Sequence, residues 1–304
     1  MSEVYDILVL GGGPSGLTAL LYATRLGRKA LLLEDNPYGC GQISLTERVD
    51  NYPGLFGING YDLGEKFIES AVSNGGVIKK GRVEKVEKNI DNTFNVSTTS
   101  GDIYTAHSVI VALGSHHRLL NIPGEEKFKG HGVSYCAVCD APLFKGKTVA
   151  VIGGGDTALG DAITLSSFAS KVYLVHRRDT FRGSVVLQEK IKGISNIECV
   201  LNATPSEIIG EKSVEFLKLN SGELKVDGVF VAIGEEPNTE IFEKLLKLDE
   251  HKYILTGENL ETSVKGIFAS GDIRKKSLRQ VITAASDGAI AAYSANDYLT
   301  ELGL

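Results

Sequence analysis

Two stretches of this chain share one local grammar, and it constrains the fold more than any other feature. The first, VYDILVLGGGPSGLTALLYATRLGRKALLLED, runs from an apolar β-branched segment, Val4 to Leu10, into Gly11, Gly13 and Gly16 at G-x-G-x-x-G spacing, with Pro14 and Ser15 between them. A helical stretch, Leu17 to Leu26, is stopped by Gly27, and a second apolar run covers Ala30 to Leu33. The second stretch, KTVAVIGGGDTALGDAITLSSFASKVYLVHRRD, repeats the order. Val149 to Ile152 leads into Gly153, Gly154, Gly155 and Asp156; a helix follows from about Thr157, with Ala158 at its start; Val172 to Val175 is the returning strand. A strand that turns through glycines into a helix and returns parallel to itself is a βαβ unit. Its first glycine permits the tight turn, the second lets backbone approach a pyrophosphate, and the third, or Ala158 in the second copy, lets helix and strand pack closely. The expected fold class is α/β, with two Rossmann-like dinucleotide-binding domains.

The two copies differ where each second strand ends. Glu34 ends the first, where a carboxylate accepts hydrogen bonds from a ribose diol; His176-Arg177-Arg178 ends the second, and Arg182 follows. Guanidinium groups at that position suit a 2′-phosphate, held through charge-assisted and often bidentate bonds. A solvated basic strand end is the bland alternative, set aside because three arginines stand where the fold needs them. The first site then takes FAD and the second NADPH. A later segment, TSVKGIFASGDI (Thr262 to Ile273), resembles the second flavin fingerprint of two-dinucleotide flavoproteins, with Gly271 and Asp272 at the ribityl position. Because it follows the NADPH copy, the FAD domain is expected to be discontinuous, with the NADPH domain inserted. Linkers at Gly114 to Lys129 and Gly234 to Thr239 give boundaries of 1–116, 117–245 and 246–304.

Between the nucleotide motifs lies SYCAVCDAPLFKGK, with Cys136 and Cys139 three apart and Asp140 next. Four ligands make a structural zinc site, and neither Cys40 nor Cys199 belongs to a second C-x-x-C, so no metal is expected. A pair of buried structural thiols is a further reading. A flavin passes two electrons and a dithiol accepts two, which gives the pair a chemical use beside a flavin, with Asp140 placed to trade the proton. The 38 acidic and 32 basic residues are interspersed, for a formal charge of −6, which argues against nucleic acid as a partner. The first apolar run is too short for a signal peptide, and none approaches the roughly 20 residues that span a bilayer, so no membrane association and a cytoplasmic location are expected.

With YCAVCD, the motifs GQI, VDNYPG, GGGDTA, VHRRDTFR, FVAIGEEPNT and GDIRKKSLRQV make the chain resemble the low-molecular-weight thioredoxin reductases of bacteria and archaea over essentially its whole length. The resemblance implies a homodimer whose FAD and NADPH domains rotate against each other, with thioredoxin or a thioredoxin-like protein as substrate. It implies a redox-active disulfide in which Cys139 lies next to the flavin, Cys136 is its partner, and Asp140 is the acid/base. FAD contacts are implied for Gln42, Asn51, Val83 and Gly114, with Arg279, Gln280 and Val281 along the flavin; Ile233 and Gly234 are implied for NADPH. Alternatives of the same fold are a flavoenzyme fed by ferredoxin, a dithiol oxidase, and a non-enzymatic nucleotide-binding redox sensor. The intact HRRDTFR stands against another electron donor, and the dithiol stands against mere sensing.

Departures from the family pattern cluster near the dithiol. C-A-V-C replaces C-A-T-C; Ala141-Pro142-Leu143 replaces a glycine and two rings of the docking groove; His131 stands for an arginine there. Gly160 replaces a glutamate, Glu235 a histidine and Cys40 a glycine. Cys40 reads as a packing substitution more than as a third redox group. His116, His117 and His251 read as surface or linker residues with no constellation around them.

Overall fold

The computed structural model describes residues 3–36, 39–46 and 48–304. The chain opens with β1 (Val4–Leu10), α1 (Pro14–Arg25) and β2 (Ala30–Glu34), then α2 (Gly60–Ser73), β3 (Val77–Lys80), β4 (Val83–Lys88), β5 (Phe94–Thr98) and β6 (Ile103–Val111). After β7 (Ser115–His117) come β8 (Val133–Ser134), the single-turn α3 (Ala137–Asp140), β9 (Thr148–Ile152), α4 (Asp156–Ser166), β10 (Lys171–Val175), α5 (Val185–Lys192) and β11 (Ile197–Val200). An antiparallel meander, β12 (Pro205–Ile209), β13 (Phe216–Leu219) and β14 (Gly222–Lys225), leads to β15 (Gly228–Val231) and β16 (Glu235–Pro237). The chain closes with β17 (Ile267–Ala269) and α6 (Val281–Glu301).

Residues 1–116 and 236–304 form one compact unit, and 117–235 form a second. The second crossing therefore lies at 235/236 rather than at 245. Residues 236–245 belong with the first unit because Phe242, fully buried, shares a core with Leu8, Leu10 and Val111.

In the first unit the strand order is β3-β2-β1-β6-β5-β4. Strand β6 is long enough to serve two neighbours on one edge: Ile103 to Ala106 pair antiparallel with β5, and Val109 to Val111 pair parallel with β17. Both faces are covered, so alternate residues of β1 feed different cores, Ile7 and Val9 one, Leu8 and Leu10 the other. Gly11 turns the chain into α1 at φ +104°, and a Cβ there would run into the Ala112 carbonyl. Glycine is required on both counts. Helix α6 lies close on α1, since a Cβ at Gly288 would meet the Ser15 carbonyl.

The second unit has a five-stranded parallel sheet, β11-β10-β9-β15-β8, again buried on both faces, with Val149 and Val151 in one core and Ala150 and Ile152 in the other. Strands β7 and β16 pair with each other where the chain crosses between units; Arg118 N–H donates to Gly234 O at 3.0 Å and Asn238 N–H to Gly114 O at 3.1 Å. Among the described residues no helix is long and apolar enough to cross a membrane.

Candidate dinucleotide and dithiol sites

In the first unit the glycine turn does what its spacing predicts. A Cβ on Gly16 would collide with Gly11 O, whereas one on Gly13 would meet no described atom within 4 Å, so backbone lies bare at the N-terminus of α1. Pro14 opens that helix without a donor to leave unsatisfied. Glu34, at the end of β2, accepts from Gly12 N–H and from Asn36 N–H at 3.0 Å, which fixes its carboxylate beside the turn. Ser15 Oγ donates to Ser270 Oγ at 2.9 Å, tying the turn to the segment that carries Gly271 and Asp272. Those two residues sit in a 3-10 turn, Gly271–Ile273, directly after β17.

The remaining first-unit residues fall into four groups. Gln42 donates through Nε2 to Ser115 O, next to Gly114, whose φ of +68° again needs glycine. Asn51 Nδ2 donates to Gln280 Oε1 at 2.8 Å, bringing together residues 229 apart, and Gln280 caps α6, of which Val281 is the first residue. Arg279 lays its guanidinium 3.9 Å from the Tyr253 ring centroid, and its Nε is buried with no acceptor among the described residues. Val83 opens β4 with its side chain against the core, so it offers backbone rather than side chain to a ligand.

Asp287 was not singled out in the sequence, yet it organises this region. Its buried carboxylate accepts from Gly271 N–H at 3.0 Å, Arg274 Nε at 2.8 Å and Nη2 at 2.7 Å, and Lys276 Nζ at 2.8 Å. Burial pushes its proton affinity up, but bonds from Arg274 and Lys276, with their charges, outweigh burial and hold the carboxyl below the ordinary carboxylate range. The available signal was a lone acid in the small-residue helix ITAASDGAIAA, shortly after the basic run Arg274, Lys275 and Lys276.

In the second unit, a Cβ on Gly153 would meet Ala232 O, and one on Gly154 would enter the His176 ring; Gly155, the residue before α4, has open space. Asp156 accepts Ser184 N–H at 2.6 Å, and Gly154 O accepts from Arg182 N–H at 2.7 Å and Gly183 N–H at 3.0 Å. These bonds draw the segment bearing Arg177, Arg178 and Arg182 to the glycine turn, with the three arginines exposed. Thr157 is exposed and Ala158 fully buried. His176 is buried, lies tilted against the Phe181 ring at 5.4 Å between centroids, and leaves Nε2 without a partner among the described residues. Burial, then Arg182, Arg177 and Arg178, lower its proton affinity, against a backbone bond at Thr180 that raises it. Ile233 and Gly234, at φ +113°, end this unit beside β16.

Cys136 and Cys139 are joined as a disulfide with Cα atoms 5.3 Å apart. Strand β8 ends at Ser134, Tyr135 turns the chain, and α3 runs through Cys139 to Asp140. Ser134 Oγ donates to Asp140 Oδ2 at 2.6 Å and accepts from Cys136 N–H at 3.1 Å. Tyr135 donates to buried Glu125 at 2.9 Å and stacks on His117, whose Nδ1 lies 3.4 Å from Glu235. His116 bonds Asn238 at 2.8 Å, so both linker histidines have partners that the sequence did not indicate. Asp161 of α4 has its carboxyl pushed up to about 7 by burial and then by the charge of Glu235. Cys40 is buried in the first core, its thiol pushed up to about 12 by burial, then by Glu34 and Glu65.

Two glycine cradles and a disulfide on one chain are the signature of flavin-linked disulfide chemistry, and comparison with known proteins places the chain among them. The family model described as pyridine nucleotide-disulphide oxidoreductase matches residues 5–288. The chain belongs to this family. A thioredoxin reductase of Bacillus subtilis is 41% identical over 312 residues, covering 99% of this chain and 98% of its own. One from Treponema pallidum is 41% identical over 309 residues, with 99% of both chains covered. The crystal structure of thioredoxin reductase from Streptococcus pyogenes superposes with a TM-score of 0.93 at 37% identity, covering 99% of this chain and 100% of that one. In such a disulphide oxidoreductase the Cys136–Cys139 pair is the redox-active disulfide.

Proposed function

We propose that the chain is an NADPH-dependent thioredoxin-disulfide reductase, working as a homodimer, with FAD held by the first unit and NADPH by the second. The observation that carries this reading is the Cys136–Cys139 disulfide, which shares its unit with the exposed Arg177, Arg178 and Arg182. Each cradle fits its cofactor. Open backbone at Gly13 and Gly155 leaves room for a pyrophosphate at a helix N-terminus. Arg279 Nε and His176 Nε2, which have no partner among the described residues, are buried polar atoms of the sort that a ligand satisfies.

Gly11, Gly13 and Gly16 shape the FAD pyrophosphate turn, Glu34 receives the ribose, and Gly271 and Asp272 face the ribityl chain. Gln42, Asn51, Gly114, Arg279, Gln280 and Val281 line the flavin side, and Val83 contributes backbone. Gly153 to Ala158 form the second turn, the arginines take the 2′-phosphate, and Ile233 with Gly234 border the nicotinamide. When bound, the two cofactors supply a two-electron path from nicotinamide through flavin to a disulfide. The protein contributes the acceptor: Cys139 takes the electrons, Cys136 leaves as its thiol partner, and Asp140 holds or returns the proton. Because the flavin residues belong to one unit and the dithiol to the other, the reaction requires the second unit to present Cys139 to the flavin and then to a thioredoxin.

Anaerobic titration with NADPH and NADH, followed by turnover with a thioredoxin, tests the reading. NADPH is expected to bleach the flavin, and Cys139→Ser to keep that step while losing thioredoxin reduction. Bleaching by reduced ferredoxin alone, or unchanged turnover in Cys139→Ser, would refute it.

A further inference from the structure

Asp140 is a side chain on a four-residue helix, and a carboxylate there has rotamers to lose. Ser134 removes that freedom. Its backbone is locked in the sheet, since β8 pairs with β15 through Val133 opposite Val229 and Ser134 opposite Phe230. Its side chain is buried, at 6% exposure. A serine hydroxyl has one proton to give and two lone pairs with which to accept. Here the proton goes to Asp140 Oδ2 at 2.6 Å, while the other acceptor in reach, Cys136 O, is 3.5 Å away. A lone pair takes Cys136 N–H at 3.1 Å. One hydroxyl thus joins the backbone of one redox cysteine to the carboxylate that follows the other.

We propose that Ser134 is a positioning residue for the dithiol, holding the Asp140 carboxylate in one orientation and favouring its ionised form. The inference rests on the redox reading of Cys136 and Cys139. Opening the disulfide to one thiol and one thiolate takes two electrons and one proton; closing it releases them. A carboxylate that accepts a hydrogen bond from a fixed hydroxyl takes up the proton less readily than a free one, so Ser134 sets the pH at which Asp140 changes hands. Around them stand further titratable groups: Tyr135 bonds Glu125 and stacks on His117, His117 faces Glu235, and Glu235 acts on Asp161 in α4. All of them stay unchanged in the variants below.

The test needs no nicotinamide. The purified holoprotein is reduced with dithiothreitol, which becomes its own cyclic disulfide, and after its removal the rate of iodoacetamide alkylation at Cys136 and Cys139 is followed by mass spectrometry from pH 4 to 9. The wild-type profile should carry an acidic inflection that Asp140→Asn removes. Ser134→Ala should move that inflection up by about one pH unit, because the ionised carboxyl loses a charge-assisted bond. Ser134→Thr, which keeps the hydroxyl, should restore the wild-type position. Ser134→Ala placed on Asp140→Asn should change nothing further. An inflection that persists in Asp140→Asn, a Ser134→Ala profile that superposes on wild type, or an equal shift in the double variant would overturn the proposal. Failure of NADPH to reduce the protein would sink the functional reading and leave this result standing.

Discussion

Replacing Asp287 by Asn leaves a side chain of the same shape and removes one negative charge from a buried cluster. In the native cluster one carboxylate faces two cations, Arg274 and Lys276, whose side chains are 18% and 6% exposed against 6% for the aspartate. The net charge is therefore +1, and it becomes +2 in Asp287→Asn. Breaking a buried pair by removing one partner costs about 3–5 kcal/mol, chiefly because the other charge stays buried without compensation. Asn retains one oxygen to accept from Gly271 N–H or Arg274, so about 3 kcal/mol is the expected loss. For a unit of this size that corresponds to a fall in Tm of about 6–12 °C. Differential scanning calorimetry at pH 7 measures it. Acid supplies a second handle: the folded carboxyl titrates below its ordinary 3.8, so its contribution is complete above that value and is lost as pH falls through the folded one. The gap between wild type and variant should then narrow below about pH 4. Adding Lys276→Met to Asp287→Asn returns the net charge to +1 and should recover part of the loss. A variant that melts with wild type, or a gap indifferent to acid, would refute the ledger of charges.

Two further outcomes follow from the second unit. Neutral residues at Arg177 and Arg178 should weaken NADPH by about 2 kcal/mol, roughly 30-fold, and leave NADH nearly unchanged, as read by binding titrations with each nucleotide. Asp161, with its carboxyl raised to about 7, penalises the folded state progressively as pH climbs from about 4 to about 7. Asp161→Asn should therefore gain about 2–4 kcal/mol in denaturant unfolding at pH 8 and nothing at pH 4.

What the sequence showed, and what it did not, divides along the range of the forces involved. The glycine turns were legible because the spacing carries a local steric demand: Gly16 has no room for a Cβ beside Gly11 O in its own βαβ unit, whereas the atom that a Cβ on Gly11 would strike, Ala112 O, lies beyond β6 and adds a constraint the spacing does not show. The placement of Glu34 and of Arg177 and Arg178 beside their glycine turns was legible because a strand end has a fixed place in that unit. The crossing at 235/236 was not, since nothing local says that Phe242 reaches back to Leu8 and Leu10. Ser134 and Asp287 were missed for a related reason. Their partners are set by how a strand reverses into α3 and how α6 returns over the Gly271 turn, which no spacing rule encodes. The linker histidines were read as bare because Glu235 and Asn238 lie some 120 residues downstream, joined to them only through the pairing of β7 with β16.

That pairing has a consequence for the chain as a polymer. A long insertion ordinarily charges its host the entropy of bringing two distant points together, a cost that grows with the logarithm of the loop. Here residues 117–235 form a compact unit of their own, and where they leave and return, Arg118 N–H meets Gly234 O at 3.0 Å and Asn238 N–H meets Gly114 O at 3.1 Å. The first unit therefore sees a hairpin turn where the gene has more than a hundred codons. Such a segment can be lengthened, shortened or exchanged for another of similar mouth without the host's closure entropy changing, so the two units are free to diverge at independent rates.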